Sequence, residues 1–409
     1  MTEPKSLTLK SANVLDVESG SLVGARNIYI ENGVIREISA TDVTRGETEI
    51  DLNGLTLMPG LCDAHVHVTA STASFPQLQT WPQSYATARA TRILHHMLMR
   101  GFTTVRDCGG ADYGLALAVD EGTIPGPRIL FCGNALSQTA GHSDMRSIHD
   151  NHDIDPYGPG LGCLVDGVSE MRKACRSELR KGAHFIKIMG SGGISSPTDH
   201  IQNTQFSMDE LRAAVEEAEA NRTYVAGHLY TAKSIVRALE CGVTSIEHGN
   251  LADEATLQMI KDKDAFLVPT MSTHEAIAEE GIKVGFPPDL QKKVYEVVHA
   301  GYETHAKAHQ MGLKMVYGTD LIGPMHVHQL LEFELRGKFQ QPIDTIRSAT
   351  TMAARLFRME QELGQVREGF RADLLALEGN PLDDVSVLTN PDQHLKVIVK
   401  EGTVFKNGL

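Results

Sequence analysis

Two histidines two residues apart, His65 and His67, are the residues of this 409-residue chain whose type and spacing point most directly to chemistry. They stand in an apolar run from Leu57 to Val68. Because side chains alternate between the two faces of a strand, both imidazoles point the same way. Histidine is the commonest metal ligand, and two imidazoles supply half of a tetrahedral site. The motif predicts a metal centre, against the alternative of an ordinary strand with two chance histidines.

Further polar residues stand at or near the ends of later apolar runs, where they could complete such a centre. The metal ligands predicted from this placement are His65, His67, Lys187, His228, His248 and Asp320. We expect His65 and His67 on one ion, His228 and His248 on a second, and Lys187 between them. Asp320 is expected to bind the first ion and to be the catalytic residue, taking a proton from the attacking water and delivering it to the leaving amine.

Lys187 interrupts the apolar run Phe185 to Met189. The plain alternative is a lysine that pairs with a carboxylate or extends its ammonium to solvent. Lysine is rarely buried without a partner, and burial disfavours the charged ammonium. A neutral amine can add carbon dioxide to form a carbamate, whose two oxygens can bridge two cations. We therefore expect carboxylation of Lys187 by CO2.

Eight apolar, β-rich runs could position these side chains, and most are separated by stretches of helical period. The runs cover residues 57–68, 101–107, 127–133, 183–190, 223–230, 242–249, 265–270 and 313–320. This alternation predicts an α/β fold, a (β/α)8 TIM barrel with its functional residues at the carboxyl ends of the strands. Residues 6–57 and those from about 364 contain short strands instead, which predicts a small β-sandwich domain built from both chain ends. The predicted division is 1–58 and 359–409 for the β-domain and 59–358 for the barrel.

Composition excludes several classes of partner. The formal net charge is −14 and no cluster of lysine and arginine occurs, so nucleic acid is not expected to bind. No apolar stretch approaches the roughly 20 residues needed to span a bilayer, so no membrane association is expected. The six cysteines lack metal-site spacing and are expected to be buried thiols of a reducing compartment. Because no signal peptide is visible either, a cytoplasmic location is predicted.

The chain resembles the metal-dependent amidohydrolase superfamily over nearly its whole length. The marks of the resemblance are Pro59 to His67, Lys187, His228, Glu247-His248-Gly249, Gly318-Thr-Asp320 and Gly364 to Leu374. Within the superfamily it resembles the imidazolonepropionase-like and Xaa-Pro dipeptidase-like amidases, which include ochratoxin-hydrolysing amidohydrolases. True imidazolonepropionases lack the lysine, so Lys187 favours the peptidase-like branch. The resemblance implies two divalent metal ions, with zinc as the expected metal, and a homo-oligomer that could be an octamer.

Four residues are predicted to contact the substrate. Tyr230 lies two residues after His228 and should point to the same side, and His142 lies in the long gap between the third and fourth runs. The resemblance implies that His142 and Tyr230 bind a substrate α-carboxylate; the alternative is that they only pack behind the site. Trp81 is expected to help cover the side chain of the leaving amino acid; the equally weighted alternative is that it only packs within its loop. His326 repeats the His-x-His spacing but follows the completed ligand set, so it is expected to approach the substrate.

Three functions follow. The first is a binuclear metal-dependent amidohydrolase that cleaves a dipeptide or N-acyl amino acid, including ochratoxin-type N-acyl-phenylalanine substrates, by attack of a metal-bridging hydroxide. The second is a hydrolase of cyclic amides such as imidazolones or hydantoins, or a deaminase, of the same superfamily. The third is a catalytically inactive barrel. The complete ligand set disfavours the third, and Lys187, His142 and Tyr230 favour the first over the second.

Overall fold

The computed structural model describes residues 6–152 and 158–409. In chain order its strands are β1 Ser6–Asp16, β2 Ser21–Glu31, β3 Val34–Ser39, β4 Thr48–Asp51, β5 Thr56–Pro59, β6 Leu61–Val66, β7 Phe102–Asp107, β8 Arg128–Phe131, β9 Ala135–Ser137, β10 Gly162–Leu164, β11 Ile186–Met189, β12 Val225–Thr231, β13 Ser245–Leu251, β14 Phe266–Val268, β15 Lys314–Met315, β16 Leu374–Leu377, β17 Leu395–Lys400 and β18 Thr403–Asn407. Each of the eight apolar runs therefore contains a strand, from β6 to β8 and from β11 to β15.

The helices fill most of the intervals between these strands. They are α1 Phe75–Gln79, α2 Gln83–Met99, α3 Tyr113–Asp120, α4 Val168–Arg180, α5 Met208–Ala220, α6 Ala232–Cys241, α7 Glu254–Asp262, α8 Met271–Glu280, α9 Gln291–Gln310, α10 Leu331–Gly337, α11 Pro342–Ser348, α12 Thr351–Leu356, α13 Ser386–Thr389 and α14 Pro391–His394. Among residues 6–152 and 158–409, no helix is long and apolar enough to cross a membrane.

The fold is mixed α/β with parallel sheet, as the alternation predicted. One sheet has the strand order β10-β9-β11-β12-β13-β14-β15, and a second has the order β6-β7-β8. The pairs from β11 to β15 are all parallel. Backbone hydrogen bonds also join the two sheets next to these strands. His184, two residues before β11, donates to Phe131 of β8 at 2.8 Å, and Ala64 of β6 donates to Tyr317, two residues after β15, at 2.8 Å. Strands β9 and β10 were not among the predicted eight.

Local sequence signals place the helices that follow the site-bearing strands. Helix α5 begins with a capping box, in which Ser207 and Glu210 each satisfy the other's backbone N–H. Helix α6 begins in the same way at Thr231, the last residue of β12. It ends at Gly242, whose φ of 99° suits a glycine. The helix therefore begins immediately after β12, and His228 and Tyr230 lie in the last four residues of that strand.

The two chain ends contribute to one eight-stranded sheet with the order β18-β17-β16-β5-β1-β2-β3, to which β4 is added beside β1. Strands β1 and β5 are parallel, whereas β5 and β16 are antiparallel. Buried side chains from both ends, such as Leu9, Ile28, Leu374 and Val397, form its core. The predicted sandwich arrangement stays a prediction.

The chain forms two compact units. The first contains the described residues within Met1–Asp63, His95–Thr104 and Phe333–Leu409, and the second those within Ala64–Leu94 and Val105–Glu332. All the residues predicted for the functional site lie in the second unit. The six cysteines, which are all described, form no disulfide. The predicted domain boundaries, the homo-oligomer and the cytoplasmic location stay predictions.

Candidate active site

Two imidazoles and one carboxylate come together where β6 ends. His65 Nε2 lies 3.5 Å from Asp320 Oδ1, and His67 Nε2 lies 3.2 Å from the same oxygen. The two histidines are almost completely buried, whereas the Asp320 side chain is 19% exposed. Asp320 follows β15 and is held by its backbone N–H, which donates to the carbonyl of His65 at 2.7 Å. The carboxylate therefore contacts both imidazole rings and remains partly accessible to solvent.

The second pair of predicted ligands lies beside the first. His228 and His248, on the neighbouring strands β12 and β13, have His228 Nδ1 and His248 Nε2 2.8 Å apart. The ring centroids of His65 and His248 are 5.2 Å apart. Single ligating atoms of His65, His248 and Asp320 all lie within 4.8 Å of one another, as a bound metal ion would require.

The other ring nitrogen of three histidines is held by the protein. His65 Nδ1 lies 2.8 Å from Glu247, His67 Nδ1 2.8 Å from the carbonyl of Gly109, and His248 Nδ1 2.7 Å from Thr270 Oγ1. Metal-binding imidazoles almost always have this arrangement, because the partner fixes the ring and leaves the opposite nitrogen for the metal. His228 Nε2 is buried without a hydrogen-bond partner among the described residues. The donor set therefore fits divalent metal ions.

The protonation states of three of the four histidines agree with this fit. Burial alone would lower the pKa of His67, but its hydrogen bond to Asp320 raises it. Burial, followed by the charge of Lys187, lowers the pKa of His65 to about 4. Burial also lowers the pKa of His228 and His248 well below the usual range, so that both rings are neutral at neutral pH. Burial alone would raise the pKa of Asp320, but the neighbouring histidines and Lys187 hold it well below its usual range. Neutral imidazoles and an ionised carboxylate are the forms that bind metals.

A buried ion pair supports His65 from behind. Glu247 accepts hydrogen bonds from Arg106 at 2.7 Å and Ser245 at 2.6 Å, and its other oxygen meets His65. Arg106 also donates to the carbonyl of Ala64, the residue before His65, at 2.6 Å. Burial would raise the pKa of Glu247, but Arg106 and His65 hold it at about 2. Sequence reasoning gave Glu247 no role, although a glutamate within a buried strand was a visible signal.

Glu247→Gln is expected to weaken metal binding about 10- to 100-fold, the usual effect of losing a group that orients a metal ligand. The neutral amide keeps the size of the carboxylate but no longer holds the His65 N–H with a full charge. Competition with a chromogenic chelator would measure the change. Glu178→Gln is the matched control, because Glu178 is also buried and pairs with Lys181 and Asn134, neither of which is a predicted metal ligand. Unchanged metal affinity in a folded Glu247→Gln protein would contradict this role.

Three non-glycine residues at this site have left-handed backbone conformations. The φ angle is 74° at His248, 54° at Asp320 and 51° at Thr270. Such conformations cost about 1–2 kcal/mol in residues other than glycine. Strained backbone persists where the surrounding structure enforces it, typically at functional sites.

A cavity lies beside the predicted metal ligands, and both polar and apolar side chains line it. Lys187 on β11, which is 1% exposed, lines the cavity with the predicted metal ligands His65, His67, His228, His248 and Asp320. The apolar part of its lining includes Phe75, Leu78, Met145, Ile194, Ile277 and Ile322. The structure thus brings all six predicted metal ligands to one cavity.

Two of the four predicted substrate residues line this cavity, namely His142 and Tyr230. The His142 ring stacks on His228 at a centroid distance of 4.1 Å. Tyr230 stacks on His248 at 4.9 Å, and its hydroxyl lies 2.7 Å from His274 Nε2. His274, on α8, was not singled out from the sequence, because no apolar run ends at it.

Trp81 and His326 are not among the described residues that line the cavity. Trp81 lies just after α1 and contacts the Tyr85 ring at 4.9 Å and Arg89 at 5.2 Å. Phe75 and Leu78 of α1, the helix just before Trp81, line the cavity in its place. His326 lies in a 3-10 helix, with Nε2 3.1 Å from the carbonyl of Ala70.

Comparison with known proteins agrees with this geometry. Residues 56–404 match the amidohydrolase family. Ochratoxinase of Aspergillus niger is 35% identical over 372 residues, which cover 86% of this chain and 75% of that protein. A prolidase crystallised with N-methylphosphonate-L-proline is 43% identical, with 98% of this chain and 100% of that chain covered and a TM-score of 0.95. A Xaa-Pro dipeptidase with methionine bound in its active site is 30% identical, with 98% and 100% covered and a TM-score of 0.88.

The family match spans most of the chain, and relatives above 30% identity match it in both sequence and structure. Members of this family generally bind divalent metals, and the cluster around His65, His248 and Asp320 is suited to do so. The chain therefore belongs to the amidohydrolase family and is a hydrolase that acts on amide bonds.

Proposed function

We propose that this chain is a binuclear metal-dependent amidohydrolase that releases the C-terminal amino acid of a dipeptide or N-acyl amino acid. The observation that carries the proposal is the set of three imidazoles whose Nδ1 atoms are held by protein acceptors, next to a partly exposed carboxylate. All three rings also line the cavity, so that a metal ion bound there could be reached by the nitrogen opposite the fixed one.

In this proposal His65, His67 and Asp320 hold one ion, and His228 and His248 hold the other. Lys187, carboxylated by CO2, stands between them, and zinc is the proposed metal. Divalent ions held here would lower the pKa of a water molecule and polarise a substrate carbonyl. Support comes from the burial of Lys187, which lines the same cavity as the four histidines and Asp320.

Asp320 is the proposed catalytic residue. Its side chain is the most exposed of the six, and its low pKa keeps it ionised at neutral pH. An ionised carboxylate facing the cavity can accept the proton of the attacking water and pass it to the leaving amine. The position of Asp320 is held by its backbone N–H, which donates to the carbonyl of His65 at 2.7 Å.

His142 and Tyr230 are the proposed ligands of the substrate carboxylate. Burial raises the pKa of the Tyr230 phenol well above its usual range, so that the hydroxyl remains a hydrogen-bond donor. The His142 ring lies beside His228 and faces the same cavity. An amino acid in the active site of the similar Xaa-Pro dipeptidase supports a substrate with a free carboxylate.

The apolar part of the cavity lining, which includes Phe75, Leu78, Met145, Ile194, Ile277 and Ile322, favours a substrate with an apolar side chain. Each buried CH2 group contributes about 0.8 kcal/mol, so a large apolar group would bind appreciably better than a small one. The similarity to ochratoxinase supports N-acyl-phenylalanine compounds of the ochratoxin type within this class.

We also propose that the parallel strands close into an eight-stranded (β/α)8 barrel. The backbone hydrogen bonds from His184 to Phe131 and from Ala64 to Tyr317 support closure, because they join the two sheets at two places. In such barrels the residues that follow the strands converge on one face, which suits the cluster of ligands.

The proposed requirement for a free carboxylate in the substrate is tested by comparing an N-acyl amino acid with its C-terminal amide. A hydrogen bond to a charged group contributes about 1.5–3 kcal/mol, so the amide is expected to lose roughly 10- to 200-fold in kcat/KM. Tyr230→Phe keeps the stacked ring and removes the hydroxyl, so it should discriminate less between acid and amide. Steady-state kinetics of both substrates with the metal-reconstituted enzyme measure this.

Tyr113→Phe is the matched control, because Tyr113 is 57% exposed and does not line the cavity. It should discriminate as the wild type does. Equal kcat/KM toward acid and amide in the wild type would contradict the proposed recognition of a free substrate carboxylate. Activity on hydantoins or imidazolones in the same panel would then favour the cyclic-amide alternative, and activity on aminated purines a deaminase.

A further inference from the structure

A buried carboxylate, that of Asp199, lies next to the His142 imidazole. Asp199 has a fully buried side chain, and its Oδ2 lies 3.4 Å from His142 Nδ1. The same oxygen accepts from the backbone N–H of Gly193 at 3.1 Å and from Gln205 Nε2 at 3.2 Å. Its other oxygen accepts from Ser196 Oγ, which itself lies 3.3 Å from His142 Nδ1. Asp199 is thus the common acceptor next to the imidazole.

A lysine from a distant helix completes this group. Lys293 on α9 lies 3.1 Å from Asp199 Oδ1, and its side chain is only 15% exposed. Its ammonium also donates to the backbone carbonyls of Gly193, Ser196 and Asp199 at 3.2, 2.9 and 2.6 Å. One buried cation therefore ties down three carbonyls of the segment that follows β11.

The segment that Lys293 holds reaches the active-site cavity. Ser195 lies between two of the carbonyl contacts, lines the cavity and has its Oγ 3.2 Å from His142 Nε2. Gly193 packs so closely that a Cβ atom there would lie 2.2 Å from His142 Cε1. The imidazole is therefore enclosed by Gly193 and by the stacked ring of His228, and its two nitrogens are fixed by residues of one segment.

We propose that Asp199 and Lys293 are positioning residues that hold His142 and Ser195 in the orientation needed to bind the substrate carboxylate. This inference rests on the proposed function, which assigns the carboxylate to His142. Neither residue lines the cavity, so both act through the segment 193–199 and the His142 ring. Substrate selection would therefore depend on an ion pair whose partners are 94 residues apart in the chain.

The test is the ratio of kcat/KM for an N-acyl amino acid to that for its amide, measured with the thermal unfolding midpoint of each protein. In Asp199→Asn and Lys293→Met the ratio is expected to fall about tenfold, the loss of one charge-assisted hydrogen bond. The fall should come from a higher KM for the acid, with kcat little changed. Lys293→Arg keeps the cation and should retain most of the ratio. A purely structural role would lower the midpoint and leave the ratio unchanged.

Two further variants keep the test decisive. Ser196→Ala removes only the hydroxyl between His142 and Asp199 and leaves the ion pair, so it should fold and lower the ratio to a smaller extent. Lys181→Met removes a comparable lysine–carboxylate pair with Glu178, away from His142, and should keep the wild-type ratio. Wild-type ratios in folded Asp199→Asn, Lys293→Met and Ser196→Ala would overturn this inference and leave the proposed function standing. A wild-type enzyme that does not distinguish acid from amide would overturn the proposed function and this inference with it.

Discussion

Asp320→Asn is expected to keep the fold and much of the metal while losing about 10²- to 10⁴-fold of the turnover number, the usual range for general acid–base catalysis. The amide has the shape of the carboxylate and can still offer an oxygen to a metal, but it cannot accept and return a proton. Steady-state kinetics, elemental analysis and circular dichroism on the same preparation separate these effects.

Asp112→Asn serves as the matched control. Asp112 is the N-cap of α3 and accepts from the backbone N–H of Leu115, a position where asparagine is as good as aspartate. This variant should be as active as the wild type. A loss of less than tenfold in Asp320→Asn would show that another residue moves the proton.

Lys187→Ala is expected to lose metal and activity together. The wild type should contain about two divalent ions per chain, because the carboxylated lysine is the proposed ligand of both. The turnover number of Lys187→Ala should fall at least about 10³-fold, because a bound metal ion contributes several kcal/mol of transition-state stabilisation. Elemental analysis and kinetics on dialysed protein measure the two losses.

A small carboxylic acid should partly restore both metal content and turnover in Lys187→Ala, since it supplies the two oxygens of the missing carbamate. The same concentration of chloride should restore neither, and the acid should not rescue Asp320→Asn. An unmodified lysine amine in a crystal structure of metal-replete, active enzyme would contradict the proposed bridge.

The placement of the proposed metal ligands around one cavity was predictable, because it depends on short-range rules. His65 and His67 share a face through strand alternation, and His228, His248 and Asp320 end apolar runs that lead to the same edge of a parallel sheet. The α/β alternation was predictable for the same reason, since hydrophobic period distinguishes buried strands from amphipathic helices. The strands β9 and β10 are only three residues long and carry no comparable pattern.

The partners of the site residues could not be predicted, because they are set by tertiary packing. Nothing local connects His142 with Asp199, or Asp199 with Lys293 on α9. The choice between Trp81 and Phe75 as cavity wall depends on where α1 begins and which of its faces is buried, and the start of a five-residue helix is set by its surroundings.

The left-handed backbones of His248, Asp320 and Thr270 mean that the protein gives up conformational stability at two proposed metal ligands and at the threonine that contacts one of them. A glycine at any of the three would adopt the same φ without steric cost. A library selected only for thermal tolerance would therefore tend to replace these side chains, and its most stable members would be inactive. Engineering of this protein for heat resistance should hold these three positions constant and draw its gains from elsewhere in the chain.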